Sequence, residues 1–216
     1  MRAMEPLTSF YRVLTDPDAG LRSQETLDWE CSRAGNRAGP FIAPHIPSLG
    51  IRLTSLGSGF PRDAPPDRIV YRLNRRRPVR DFENGSAFWI VSAQARAVLM
   101  AYAADAIDCA QAQVLVRSKQ GQDLEIPNRW LCDVIRFEDV VDEANSHIES
   151  GAPAAIRSYS AGSLLAFKKD LPPDLHLFRI WKWPQIVVCS AALRSALEAA
   201  NLTGVAFGRL DSNAPG

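Results

Sequence analysis

Apolar and polar positions along this chain follow two different periods. The clearest change of period falls in residues 186–210, IVVCSAALRSALEAANLTGVAFGRL. Residues 186–189 form an unbroken apolar, β-rich run bounded by Pro184 and Ser190, which predicts a buried strand. Ser190 stands at the N-cap position of the helix that follows, where its hydroxyl can accept a first-turn N–H. Leu193, Ala196, Leu197 and Ala200 then recur at i, i+3, i+4 and i+7, one apolar stripe of a helix. Asn201 and Gly204 supply residues that tolerate positive φ, and residues 205–210 alternate again as a half-buried strand does.

A similar unit occurs earlier, from Phe88 in FWIVSAQARAVLMAYAADAIDCAQAQVLV. Ser92, Arg96 and Leu99 match Ser190, Arg194 and Leu197, each pair 98 residues apart. The stripe Ala95, Val98, Leu99, Tyr102 keeps the same offset. Either the chain holds an internal duplication, or it uses a common strand–cap–helix solution twice. Both readings predict two helices covering one sheet.

Elsewhere the pattern is mostly that of strands. Residues 10–14, 69–73, 112–117, 129–135, 164–167 and 176–180 are strand candidates, with a hairpin turn at Lys119-Gln-Gly121-Gln. Residues 137–148 are acidic with an apolar stripe at Val140, Val141 and Ala144, which predicts a short helix or helical turn. Before residue 86 the chain is irregular and holds nine of the 15 prolines and seven of the 13 glycines. Gly57-Ser-Gly59 there predicts a surface loop. The expected fold is α+β, a mainly antiparallel sheet with two or more packed helices and two similar strand–helix units. The expected organisation is an irregular, turn-rich lobe over residues 1–85, an α+β domain over 86–210 and a frayed tail over 211–216, as separate lobes or one continuous domain.

Composition narrows the partners. The 216 residues are 46% hydrophobic and 23% charged, ordinary for a globular protein, and the formal charge is +1. No global field favours nucleic acid or an anionic membrane, and recognition through an overall acidic surface is disfavoured. Four scattered cysteines (Cys31, Cys109, Cys132, Cys189) suggest no disulfide framework and hence a reducing compartment. Glu5 and Pro6 interrupt any secretory h-region, and the longest apolar run, 97–104, is too short to span a membrane. These features predict a cytoplasmic protein; they do not bear on its oligomeric state.

Candidate chemistry is sparse. His45, His147 and His176 have no Cys, His or carboxylate at metal-ligand spacing, and no catalytic or phosphate-binding motif is present. No catalytic, metal or cofactor residues are therefore assigned. The enzyme alternative would rest on Cys132 or His176, but Cys132 lies in an apolar run where thiols stay protonated. Asp139, Asp142 and Glu143 would share one face of a helix and could hold a cation, or form a solvated face. Arg75, Arg76 and Arg77, within a run from Arg72 to Arg80, and the pair Trp181 and Trp183 are the candidate partner contacts. The two tryptophans, at i and i+2, would lie on one face of a strand, as core or as partner surface.

Four segments in order carry a family resemblance: FYRVLTDPDAG, RRRPVRDFENGSAFWIVSAQARAVL, RWLCDVIRFEDVVDEANS and HLFRIWKWPQIVVCSAALRSALEAANLTGVAF. They resemble the immunity-11 family of bacterial polymorphic toxin systems, formerly a domain of unknown function. The likeness runs from about Phe10 to Leu210, with no matching segment over residues 30–69. It implies a non-enzymatic protein, without cofactor, that binds a cognate toxin and blocks it. A protein-binding adaptor with another partner would look the same in sequence.

Overall fold

The chain was analysed as a computed structural model, which describes residues 10–15, 28–31, 45–46, 51–52, 57, 59–60, 69–73, 79–84, 88–117, 122–149, 159 and 163–210. The described elements run β1 (Phe10–Thr15), β2 (Asp28–Cys31), β3 (His45–Ile46), β4 (Ile51–Arg52), β5 (Ile69–Leu73), β6 (Phe82–Asn84), β7 (Trp89–Ser92) and α1 (Ala93–Ala103). They continue β8 (Ile107–Arg117), β9 (Asp123–Val134), β10 (Phe137–Glu138), β11 (Leu177–Ile180), β12 (Trp183–Ser190), α2 (Ala191–Ala199) and β13 (Val205–Arg209). The fold is α+β, as expected, but built on two larger sheets. One has five strands in the order β10-β11-β12-β1-β13, the other six in the order β2-β5-β8-β9-β7-β6. Pairing is antiparallel except for β10 with β11 and β5 with β8.

Both helices start where their serines predict. Ser92 and Ser190 hold extended backbone, and their hydroxyls accept from the N–H of Ala95 at 3.2 Å and of Leu193 at 3.3 Å. Each such cap stabilises by about 1 kcal/mol. The 98-residue correspondence extends into packing: Ala95 and Leu193 are buried, as are Leu99 and Leu197. Arg96 lies over the Trp130 ring at 5.4 Å, and Arg194 lies over Tyr11 at 4.3 Å. The prediction of one shared sheet is corrected, because α1 joins strands of the six-stranded sheet and α2 joins strands of the five-stranded one. One apolar core takes Val91, Leu99, Cys132 and Val134 from the first unit and sheet, and Tyr11, Leu177, Val187 and Leu197 from the second.

The run at residues 186–189 is unbroken because both of its faces are covered. Val187 and Cys189 enter the core between the sheets, whereas Ile186 and Val188 enter a second core with Phe10, Phe178, Val141 and Leu165. β1 lies between β12 and β13. β5 and β6 join the other sheet. The stretch before residue 86 therefore supplies strands to both sheets.

Two local expectations are corrected. Residues 137–148 form no α-helix. Val141 bridges to Phe167 and His147 to Leu164, leaving only a 3-10 turn at Glu143–Asn145. For the same reason, residues 164–167 make two isolated bridges in place of a strand. The hairpin survives as β8 and β9, longer than expected and in register from Ile107↔Val134 to Arg117↔Asp123. Residues 118–121 of its turn lie outside the described residues. A register shift between Ala112 and Val114 accommodates Pro127, which has no N–H for the ladder, and Asn128 at φ 55°.

The two strand–helix units are joined at Asp81 and Thr203. The Asp81 carboxylate accepts from the Thr203 N–H at 2.9 Å and its hydroxyl at 2.7 Å, while Phe82 N–H donates to the Thr203 carbonyl at 2.9 Å. Burial pushes the Asp81 carboxyl up, but hydrogen bonds from Thr203 and Ser92 and the Arg129 charge outweigh it and hold the group below its ordinary value. Gly204 completes the joint at φ 87°, and a Cβ there would run into the Phe82 carbonyl. Gly204→Ala should therefore cost more than the roughly 1–2 kcal/mol of left-handed backbone alone. Thermal unfolding checks this, and a variant as stable as the wild type would contradict the close approach.

Candidate functional site: a buried carboxylate junction and an exposed aromatic edge

Asp133 stands in β9 with Asp108 directly opposite in β8. The Asp133 carboxylate accepts from Gly57 N–H at 3.2 Å and Gly59 N–H at 3.0 Å, and Asp108 accepts from Phe60 N–H at 2.6 Å. Gly57 and Gly59 have φ of 77° and 69°, and the N–H groups of both turn toward one anion. The expected surface loop is thus corrected at Gly59, which is buried, since Asp133 requires donors from the chain once water is excluded. From the other sheet, Arg179 donates through Nη2 to Asp133 at 3.1 Å, through Nε to the Val134 carbonyl at 2.7 Å and through Nη1 to the Pro184 carbonyl at 2.8 Å. Side-chain exposure is only 5% for Arg179 and 7% for Asp133. Burial pushes the Asp133 carboxyl up, opposed by Gly59, Arg179 and Gly57.

Sequence reasoning missed this junction. Its signal is a lone Asp within the apolar run that follows Arg129 in RWLCDVI and a lone Arg between apolar residues in HLFRI. The segments that carry the family resemblance therefore meet one another, at Asp133 with Arg179 inside the molecule and at Asp81 with Thr203 on its surface.

The predicted residues scatter. Arg75, Arg76 and Arg77 lie outside the described residues. Trp181 and Trp183 do not share a strand face: Trp181 sits in the turn between β11 and β12, 64% exposed, and Trp183 packs half-buried on the second core. Cys132 is buried and disulfide-paired with Cys109, which corrects the expectation of no disulfide. The hairpin register sets these cysteines directly opposite with Cα atoms 4.3 Å apart, the closeness of a non-hydrogen-bonded antiparallel pair. His176 shares a hydrogen bond of 2.9 Å with the Ser190 hydroxyl, whose oxygen also caps α2, and its ring meets Tyr102 edge-on.

The carboxylates predicted to share a helical face are separated. Asp139 pairs with Lys168 at 3.2 Å, Glu143 with Lys182 and the Tyr159 hydroxyl, and Asp142 accepts from Asn145 at 2.7 Å. Among the described residues no group of three or more metal-ligating side chains lies close enough to hold an ion. No helix among them is long and apolar enough to cross a membrane.

On the outside, the β10–β11 edge carries an aromatic pair and, separately, a cluster of ion pairs. Trp181 and Phe137 meet edge-on at 6.2 Å, and Trp181 N–H donates to the Glu138 carbonyl at 3.0 Å. Arg136 pairs with Glu138 at 2.6 Å and with Asp105 at 3.0 Å. Asp105 follows α1 and is exposed, as is Tyr102 within the helix.

Arg179→Leu removes the cation and leaves Asp133 buried, a change that costs about 3–5 kcal/mol when one side of a buried pair is lost. Asp133, already raised, rises further in this variant. A carboxyl raised on folding binds more protons in the folded state, so the deficit should be smallest in acid and grow as pH rises through the folded value. Urea unfolding at about pH 5 and about pH 8 checks this; a deficit independent of pH would sink it. The Cys189 thiol, pushed up to about 12 by burial, should resist alkylation of the native protein at about pH 8. A non-reducing digest should meanwhile recover the Cys109 and Cys132 peptides linked, and unlinked peptides would contradict the pairing.

A search of curated proteins finds no match. The sequence does match the immunity protein family (Imm11) over residues 18–212, including the 30–69 stretch where no likeness was expected. With a match over most of its length, the chain belongs to the Imm11 immunity protein family.

Proposed function

We propose that this protein binds a cognate bacterial toxin and neutralises it by direct contact, without catalysis or cofactor, to protect the producing or a sibling cell. Membership of the immunity protein family carries this reading. The placement of the charged groups supports it. Asp133, Asp108, Arg179 and Asp81 are all engaged in holding the chain together. The His176–Ser190 contact shares its hydroxyl with a helix cap.

Coexpression with a toxin encoded beside this gene should restore growth, and the two proteins should copurify. Neither rescue nor complex would overturn the proposal. His176→Ala should protect as well as the wild type, because protection by binding needs no general base; loss of protection by a folded variant would favour the enzyme reading.

A further inference from the structure

The Cys109–Cys132 bond joins two residues that the fold already holds together. β8 and β9 set them directly opposite, in a register that runs unshifted from Ile107↔Val134 to Ala112↔Arg129. A non-hydrogen-bonded antiparallel pair brings its Cα atoms to about 4.5 Å whether or not the side chains are bonded. The 4.3 Å found here is that spacing, so the ladder, and not the bond, sets the distance. Neither the register nor the core depends on the two sulfurs being joined.

The two cysteines are unequally placed. Cys132 has no exposed surface and belongs to the core with Leu99, Val134 and Leu177. Cys109 packs against the margin of that core and stays half-buried. A dissolved thiol therefore reaches Cys109 first, and access decides which sulfur of a disulfide is attacked. Side chains alternate along each strand, so the next rung, Asp108 opposite Asp133, turns away from the face that holds the cysteines. That rung grips the N-terminal stretch through Gly57, Gly59 and Phe60. Its two carboxylates converge on Gly59: Asp133 accepts from the Gly59 N–H at 3.0 Å, and a Cβ on Gly59 would come within 2.7 Å of the Asp108 carboxylate. Like charges directly opposite weaken a rung, and the cross-link lies one residue away on both strands.

We propose that Cys109 and Cys132 form a thiol–disulfide exchange site, entered at Cys109, whose state sets how firmly the Asp108–Asp133 rung holds the N-terminal stretch. The reagent is a low-molecular-weight thiol, and its own disulfide is the oxidant of the return step. In reduction a thiolate attacks the Cys109 sulfur, the Cys109–Cys132 bond breaks, and Cys132 leaves with the electron pair and takes a proton from water. A second thiolate attacks the mixed disulfide at the reagent's sulfur, which frees Cys109 to take a proton and yields the reagent disulfide. Two electrons pass to the protein, and oxidation runs the same steps backward. The site is independent of toxin binding.

Reduced and oxidised glutathione, added to the folded wild-type chain at about pH 8, test this. Reduced glutathione should open the bond without urea, and iodoacetamide added to the native protein should then label Cys109. Cys189, buried with its thiol pushed up to about 12, should stay unlabelled and so report that the chain has not unfolded. Oxidised glutathione should restore the link. Cys132→Ala should hold a glutathione on Cys109, whereas Cys109→Ala should hold none on Cys132. On reduction the N–H groups of Gly57, Gly59 and Phe60 should exchange with deuterium about 10-fold faster, while the Leu193 N–H in the α2 cap keeps its rate. A bond that opens only in urea, or only together with labelling of Cys189, would make the link purely structural and overturn the exchange site. Glutathione found on Cys132 would overturn Cys109 as the point of entry. Equal exchange at Gly57, Gly59 and Phe60 in both states would overturn the hold on the N-terminal stretch.

Discussion

The Asp133–Arg179 pair fixes how the two sheets sit against each other. Its members come from β9 of one sheet and β11 of the other, and the chain passes between those sheets at residues 135–136, beside the pair. Arg179 N–H also donates to the Arg136 carbonyl at 2.8 Å, so the crossing is held by backbone as well as side chain. Removing two charges from water is costly, and here the cost is offset by fixed partners: two glycine N–H groups for the carboxylate and two backbone carbonyls for the guanidinium. Because those glycines belong to the N-terminal stretch, one buried pair ties three distant parts of the chain together.

The strand–helix units are equivalent in local chemistry but serve different sheets. In each, serine caps the helix, an arginine four residues on lies over an aromatic ring, and a buried leucine follows. The helices meet, with Gln94 donating to the Ala200 carbonyl at 3.0 Å, and the Asp81–Thr203 joint closes the arrangement. The segments that mark the family are thus largely devoted to assembling its interior. A binding protein can keep such a scaffold while its outward residues answer to a particular partner.

Much of the fold was legible in the chain. Ser92 and Ser190 announce their helices because a cap is a local event, decided within four residues. The apolar runs of β7 and β12 and the alternation of β13 announce strands for the same reason. The helix expected at residues 137–148 failed because periodicity over so few positions cannot outweigh pairing with Leu164 and Phe167, which lie well downstream.

The sequence by itself determined the two capped helices, most of the longer strands, the α+β class and the family, since capping, periodicity and motif order are all properties of neighbouring residues. Only the tertiary structure decided that the repeated units serve separate sheets, that Cys109 meets Cys132, and that Asp133 finds Arg179. It also separated Trp181 from Trp183, exposing one and packing the other. These outcomes depend on strand register and on burial. Both are set by contacts between residues far apart in the chain, and local pattern carries no record of them.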